Sequence, residues 1–226
     1  MEMKEIGIDK QFMQVTCEDR YEWLKIREWF LGGSDAAAVM GCCPWKTEQQ
    51  LFEEKKGLRE PEDIGNDPAV KYGREAEEHL RKLFILQHPE YKVAYTPNTI
   101  LINKLHPWAH ASLDGLLRDE DGRLGILEIK TSVIKDGIRS ELWTNIIPEY
   151  YNWQIQHYMM VMDAEFAVVR VELKHAMLFK TWWETLDYFI ERDEVGEDMI
   201  MLEYAERGFM ERVAKELQAA GRQRTY

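Results

Sequence analysis

Apolar side chains recur every three or four positions through most of the first 90 residues, a spacing typical of helices that bury one face. Residues 18 to 30 follow this spacing and predict a first helix. A short alanine-rich run after it predicts a second helix, with Ser34 as its N-cap and Gly41 as its stop. The first third of the chain is therefore expected to be helical.

A stretch over residues 55 to 68 interrupts this pattern with Gly, Pro and several acidic side chains, which is typical of a linker. It is expected to separate two helical pieces. At its end, Asp67 and Pro68 predict the start of a long helix that reaches about Gln87, because Asp is a good N-cap and Pro fits the first helical position. The polar face of that helix carries Glu77.

From Tyr91 onward the period changes to two, which is the period of β-strands. Three successive strands are predicted over residues 91–103, 106–117 and 123–132. Pro148 then begins a further helix, which is followed by a predicted hairpin and a long amphipathic helix. The hairpin covers residues 165–173 and 176–184, and the last helix covers residues 194–217.

This order of elements predicts an α/β fold with a mixed, largely antiparallel central sheet flanked by helices. A chain that is 45% hydrophobic and 31% charged can bury one good core, so a single domain over residues 1–226 is expected. No stretch approaches the roughly 18 apolar residues of a membrane span, and the first residues lack the apolar centre of a secretory signal. Three cysteines, an odd number, suit a reducing compartment, so a cytoplasmic location without a membrane partner is expected.

The formal net charge of −12 argues against a protein that coats nucleic acid, because phosphate neutralisation requires a surplus of Lys and Arg. It does not exclude an enzyme that grips a short stretch of backbone in a cleft. Such a cleft needs only a local positive patch, which bound divalent ions reinforce.

Candidate chemistry lies in the third predicted strand, where Glu128 and Lys130 share a face because side chains alternate across a strand. The preceding strand carries Asp114. A two-residue connecting loop would turn Asp114 to the wrong face, whereas a three-residue loop with Gly122 left-handed places it directly opposite Glu128. Facing carboxylates destabilise a sheet unless a cation lies between them.

The pattern therefore predicts a divalent metal ion between these strands. Two carboxylates and the carbonyl of Ile129 form an oxygen-only ligand set, which suits Mg²⁺ or Mn²⁺ rather than zinc. Lys130 next to the ion would orient or help deprotonate an attacking water, or neutralise charge in the transition state. The alternative is an ordinary cross-strand pair of Glu and Lys on a surface hairpin.

Three other stretches support such a metal-assisted hydrolytic site, and each has a plainer alternative. Glu77 is placed to reach the metal from the long helix, or is a solvated helical glutamate. Gln154 and Tyr158 project from one face of a helix, where they hold a phosphate or water, or pack at the edge of the core. Arg27 and Ser34 form a seat for a phosphate, or belong to an ordinary capped helix.

The stretches REWFLGGSDAAAVMG, PWKT, KYGREAEEHL, SLDG, LEIKTS, YYNWQIQHYMMV and IERDE occur in this order over about residues 20 to 200. Together they resemble the lambda exonuclease / YqaJ viral recombinase family of the PD-(D/E)XK nuclease superfamily. One departure is Leu113, which stands where the family's name motif has proline. Because that proline is not a ligand, the departure concerns backbone geometry rather than chemistry.

The resemblance implies a restriction-endonuclease-like core and an Mg²⁺-dependent exonuclease that degrades one strand of linear double-stranded DNA from its 5′ end. The remaining 3′ single strand would pass to a single-strand annealing protein in phage-type recombination. The resemblance also implies a homotrimer ring around the duplex. Enclosure would fit the acidic composition, because a ring does not need the broad basic surface of a clamping monomer.

Matched residue by residue, the resemblance also implies roles in catalysis. Asp114 and Glu128 correspond to the metal ligands, and Lys130 to the catalytic lysine. Glu77 corresponds to a further acid near the metals, and Gln154 to the glutamine of the Q-x-x-x-Y element.

Other positions correspond to contacts with DNA. Arg27 and Ser34 match the pocket for the 5′ phosphate, and Val70 matches an apolar wedge that splits the end of the duplex. Candidates for backbone contacts, with solvated charge as the alternative for each, are Lys46, Lys135 and Arg139. Two further functions are kept open, an endonuclease of the same superfamily and a catalytically inert DNA-end-binding or scaffold protein.

Overall fold

The computed structural model describes residues 12–135, 143, 146–177 and 180–221 of the 226 residues. Arg139, a candidate for a DNA backbone contact, lies outside the described residues. Among the helices of these ranges, none is both long and apolar enough to cross a membrane.

A five-stranded sheet forms the centre of the molecule, in the order β3, β6, β7, β8, β9. Neighbouring strands are antiparallel except for β7 and β8, which run parallel. The prediction of a mixed, largely antiparallel sheet is therefore confirmed. The strands are β3 (Lys92–Ala94), β6 (Gly115–Arg118), β7 (Leu124–Ile134), β8 (Phe166–Met177) and β9 (Lys180–Glu191).

Two small strand pairs lie outside the central sheet, and they correct the sequence prediction. β1 (Phe12–Thr16) pairs with β4 (Thr99–Asn103), and β2 (Leu31–Gly32) pairs with β5 (Ala109–His110). The predicted strand over 91–103 is therefore two strands in different sheets, because the chain reverses at Asn98, whose φ is +51°. The predicted strand over 106–117 likewise divides into β5 and β6, since β5 pairs with β2 before the chain enters the central sheet.

Six α-helices are seen in the described residues. The α-helix over Glu48–Lys55 was not predicted as an element of its own, whereas the other five lie close to predicted positions. Asp67 caps the long helix, as predicted, by accepting the amide hydrogens of Ala69 and Val70. The predicted hairpin is confirmed, but its strands extend further than expected. The helices are α1 (Arg20–Arg27), α2 (Gly33–Val39), α3 (Glu48–Lys55), α4 (Pro68–Gln87), α5 (Glu149–Met162) and α6 (Gly196–Ala219).

The start of α2 differs from the prediction. The N-cap is Gly32, and Ser34 is the second residue of the helix, so the prediction of a Ser34 cap was wrong. Asp35 supplies the capping interaction instead, because its carboxylate reaches back and accepts the amide hydrogen of Gly32 at 3.2 Å. The predicted stop is confirmed, since Gly41 follows the helix with a left-handed φ of +75°.

Helices cover both faces of the central sheet. On one face, the apolar side chains of α5 pack against Ile126, Ala167 and Val169. On the other face, Leu80 and Phe84 of α4 pack against a second set that includes Leu127 and Ile129. Because consecutive residues of β7 point to opposite faces, Glu128 and Lys130 lie on the side of α5.

Candidate active site

Strand β7 brings a carboxylate and an amine together at the buried edge of α5. Lys130 Nζ lies 2.6 Å from Glu128 Oε1, which confirms that the two side chains share a face. Glu128 is only 3% exposed. The alternative interpretation was a solvent-exposed pair of Glu and Lys on a surface hairpin. The burial of Glu128 argues against it, because an exposed ion pair would leave both charged groups in water.

Asp114 lies just before β6, opposite Glu128. Gly115 pairs with Leu127, and Gly122 is left-handed with a φ of +84°, so the predicted three-residue loop and its register are confirmed. Asp114 Oδ2 accepts the amide hydrogen of Ile129 at 2.7 Å, which fixes the carboxylate against β7. The side chain of Ile129 itself points into the core beneath α4.

The electrostatics of the two carboxylates favour a bound cation. Burial raises the pKa of Asp114 well above its ordinary value, and the neighbouring charges of Glu128 and Glu77 raise it further. Burial also raises the pKa of Glu128, although Lys130 opposes the shift. A divalent ion between the carboxylates would oppose both shifts, since it stabilises the charged forms.

The donor set fits a hard divalent ion. No group of three or more Asp, Glu, His or Cys side chains stands ready as a complete metal cage in the described part of the chain. Mg²⁺ does not require one, because it retains several waters and is usually bound by one or two carboxylates together with substrate oxygens. Asp114 and Glu128 match that mode of binding.

Gln154 of α5 connects the carboxylate to the amine. Its Nε2 donates to Glu128 Oε1 at 2.8 Å, while its Oε1 accepts from Lys130 Nζ at 3.0 Å. Tyr158, one helical turn later, accepts from the same amide nitrogen at 3.3 Å. The predicted common face of these two residues is confirmed, and it is turned toward the centre.

Glu77 reaches the centre through an arginine that the sequence interpretation did not select. Arg81 Nη1 lies 3.0 Å from Glu77 Oε1 and donates to the backbone carbonyl of Asp114 at 2.8 Å. The Arg81 guanidinium also lies 3.4 Å from the centroid of the Tyr95 ring. The i, i+4 spacing of Glu77 and Arg81 indicates their ion pair, but not the hydrogen bond from Arg81 to the Asp114 carbonyl.

Arg27 and Ser34 are in direct contact, as a shared phosphate seat requires. Arg27 Nη2 donates to Ser34 Oγ at 2.8 Å, and the guanidinium lies 4.2 Å from the ring centroid of Trp23. The start of α2 packs against α5 beside Tyr158 and Gln154, because a Cβ on Gly33 would lie 2.6 Å from the Tyr158 ring and 3.0 Å from Gln154 Cγ. Glycine at this position therefore allows α2 to approach α5.

Comparisons with known proteins identify the family of the chain. The YqaJ-like viral recombinase domain family matches residues 22–165. The chain belongs to this family. It is similar to the uncharacterized protein YqaJ of Bacillus subtilis (strain 168), with 31% identity over 195 residues, which cover 80% of this chain and 53% of that protein. The chain thus spans about half the length of this relative.

Solved structures show the same fold. The alkaline exonuclease LHK-Exo of Laribacter hongkongensis is similar with a TM-score of 0.62 and 20% identity, covering 89% of this chain and 96% of that one. The structure of LHK-Exo in complex with dAMP is similar with a TM-score of 0.55 and 18% identity, covering 89% and 98%. The predicted restriction-endonuclease-like core is confirmed by this likeness.

The remaining candidates of this YqaJ-family chain lie outside the group of residues in contact around Glu128 and Lys130. Val70 is half-buried in the first turn of α4, seven residues or about 10 Å of helical rise before Glu77. Lys46 is paired with Glu54, and Lys135 is exposed at the end of β7. The structure does not bring these three together with Lys130.

A second set of residues that the sequence interpretation missed lies beside the contact of Arg27 with Ser34. The ammonium of Lys55 is buried and donates to the carbonyl oxygens of Arg27 and Phe30 at 3.1 and 2.6 Å. It also forms an ion pair with Asp35 at 3.0 Å. Burial works to raise the pKa of Asp35, but the positive charges of Lys55, Lys46 and Arg27 outweigh it and hold that pKa well below its usual range. No local sequence pattern predicts a contact between α3 and the segment from Arg27 to Phe30.

Proposed function

We propose that this chain is an Mg²⁺-dependent deoxyribonuclease that degrades one strand of linear double-stranded DNA from its 5′ end. One observation carries the proposal. A carboxylate pair, Asp114 and Glu128, is joined to Lys130 and Gln154 on one buried face, beside the contact of Arg27 with Ser34. A metal-activated hydrolysis site next to a phosphate seat is the arrangement that end-directed cleavage needs.

The carboxylates are the proposed ligands of Mg²⁺, with Mn²⁺ as a substitute. Asp114, Glu128 and the carbonyl of Ile129 would hold the ion, and Glu77 would reach it through water or a second ion. The bound metal would lower the pKa of a water molecule and polarise the phosphate. The hydrogen bond from Ile129 to Asp114 fixes the direction of one ligand before any metal arrives.

Lys130 is proposed as the cation that faces the reacting phosphate. Burial works to lower its pKa, but the Glu128 carboxylate outweighs burial and holds the pKa above its ordinary value. The amine therefore carries its proton at neutral pH and can stabilise developing negative charge. Gln154 restricts its position by accepting one of its hydrogens.

Arg27 and Ser34 are proposed to hold the terminal 5′ phosphate. An arginine presents a planar fork of donors that matches phosphate oxygens, and a hydroxyl adds a further donor. Val70 is proposed as the apolar wedge at the duplex end, since α4 carries it toward the same side of the molecule as Glu77. The proposed partners are linear duplex DNA, a single-strand annealing protein and two further copies of the chain in a ring.

The test uses linear and covalently closed circular duplexes of the same sequence, with either strand labelled at its 5′ end. In Mg²⁺ the linear duplex should be consumed from 5′ ends while the circle remains intact, and EDTA should stop the reaction. Cutting of the circle would favour the endonuclease function instead. Binding of DNA ends without loss of either substrate would favour an inert scaffold.

A further inference from the structure

Three neighbouring aromatic rings form a path from the proposed catalytic lysine to the protein surface. The Tyr151 ring centroid lies 4.7 Å from Lys130 Nζ, and the Tyr150 ring lies 4.5 Å from that of Tyr151. The Trp45 ring lies 4.9 Å from that of Tyr150. We call Trp45, Tyr150 and Tyr151 the aromatic array.

Different parts of the chain supply the array, and each is well fixed. The two tyrosines are in the first turn of α5, the helix that also carries Gln154. Trp45 follows Pro44 in the connection from α2 to α3. The residues directly after it are held in place, because Lys46 is paired with Glu54 and Thr47 caps α3.

Packing explains the inner end of the array but not its outer end. Tyr151 lies 5.7 Å from the ring of Trp143, which is only 3% exposed, so it belongs to a buried cluster. Trp45 leaves 67% of its surface exposed. Single exposed apolar residues are common on proteins, but this indole continues a row of rings that ends on Lys130.

Unpaired nucleobases are the ligands that such a surface recognises. Aromatic side chains stack on bases of any sequence, because every base has a π-face. Within a duplex both faces of a base are covered by its neighbours, so the array can accept only a base that has left the stack. A strand separated from its partner at the catalytic centre would present such a base.

We propose that the aromatic array is a stacking site for an unpaired base of the DNA strand held at the catalytic centre. The proposal rests on the proposed function, since it takes the strand at Lys130 to be DNA. Trp45 would supply the stacking face, and the tyrosines would fix the indole at a constant distance from Lys130. Recognition would be independent of base identity, as degradation of arbitrary sequences requires.

The experiment uses a duplex with a short unpaired 5′ end, in which 2-aminopurine replaces the first, second or third base. Ca²⁺ replaces Mg²⁺, and gel analysis establishes that the strand stays uncut. Wild-type protein should quench the fluorescence at one of these positions, because 2-aminopurine loses fluorescence when it stacks. Trp45→Ala should remove the quenching and weaken binding about tenfold, the scale of one lost stacking contact. Trp45→Phe should retain part of both effects.

The matched control is Tyr204→Ala, which removes an aromatic ring with the same 67% exposure from α6, where it contacts Arg207. It should leave quenching and affinity unchanged. Equal quenching by wild type and a folded Trp45→Ala variant would overturn the stacking site. Quenching without hydrolysis in Mg²⁺ would refute the nuclease and leave the stacking site in place, whereas no binding by the wild type in fluorescence anisotropy would remove both.

Discussion

Lys130 is the residue at which the contacts of the candidate centre meet. Its ammonium group touches Glu128 and Gln154, and it lies over the ring of Tyr151. Each neighbour comes from β7 or α5, so the amine connects the sheet to the helix above it. A change at Lys130 should therefore affect the chemistry more than the fold, because both elements are also held by their own apolar cores.

Lys130→Met should lower the rate of DNA hydrolysis by about 100- to 1000-fold, since a preorganised donor at the developing charge is lost. The change keeps an unbranched side chain and removes the ammonium group. Initial rates on a labelled linear duplex in Mg²⁺ measure the effect. Lys82→Met is the control, because Lys82 forms an exposed pair with Glu78 on α4. A Lys130→Met rate within tenfold of wild type would contradict the assigned role.

Asp114→Asn should remove the dependence of the melting temperature on Mg²⁺. Without metal the variant should be as stable as wild type or more stable, because a partly buried charge facing another carboxylate is removed. Wild-type protein should melt at a higher temperature in Mg²⁺ than in EDTA, since a ligand at 100 times its Kd adds about 2.7 kcal/mol. That increase should vanish in Asp114→Asn and persist in Asp121→Asn, a change in the exposed turn. An increase of equal size in all three proteins would place the metal elsewhere.

At the scale of elements, α3 supports the proposed phosphate seat, because Lys55 donates to the carbonyl oxygens of Arg27 and Phe30. Lys55→Met should destabilise the protein by about 3 to 5 kcal/mol, because Asp35 is left as a buried charge without its ion-pair partner. Lys56→Met is the neighbouring control and should cost less than about 1 kcal/mol, since its pair with Glu216 is at the surface. Urea denaturation of the three proteins measures the difference. Equal losses in both variants would mean that the Lys55 contacts do not stabilise the loop.

Helices α5 and α6 are joined by a buried pair whose strength depends on pH. His157 lies 2.7 Å from Glu206 and 2.9 Å from the carbonyl of His110. Burial works to lower the pKa of His157, but Glu206 and the hydrogen bonds outweigh it and raise the pKa. A raised pKa in the folded state adds stability that is fully present below the unfolded pKa, near 6.5, and is lost as pH rises through the folded pKa.

The stability advantage of wild type over Glu206→Gln should therefore narrow as the pH rises from 6 to 9. The difference between the two free energies of unfolding should fall by about 1.4 kcal/mol for each pH unit by which the folded-state pKa of His157 exceeds its unfolded value. Urea denaturation at each pH gives the two free energies of unfolding. An advantage that is constant across this range would show that His157 does not change its charge there.

Local sequence signals predicted the parts of the structure that depend on neighbouring residues. The register of Asp114 against Glu128 follows from the alternation of side chains and from the turn at Gly122, both readable within 15 residues. Contacts between distant segments could not be predicted in this way. Neither the division at Asn98 nor the contact of Arg81 with the Asp114 carbonyl has a local signal, because each depends on how distant segments pack.

At the scale of the whole molecule, the net charge of −12 must be reconciled with the proposed end-directed activity on DNA. In the part of the chain that the structure describes, two cations near the candidate site, Lys130 and Lys55, are each paired with a carboxylate. A monomer with this surface would release DNA readily, because affinity for the backbone depends on neutralised phosphates. Enclosure of the duplex by several subunits would keep the DNA in place without a basic surface.

A trimer of the 26.8 kDa chain, about 80 kDa, is therefore the expected species in sedimentation. If such a ring encloses the duplex, digestion that has begun should continue after an excess of unlabelled linear DNA is added, because a threaded enzyme cannot transfer. Digestion should also withstand salt better than initial binding does, since screening weakens phosphate contacts but not enclosure. A monomeric mass, together with digestion that stops when competitor is added, would show that the enzyme acts without a ring and binds each end anew.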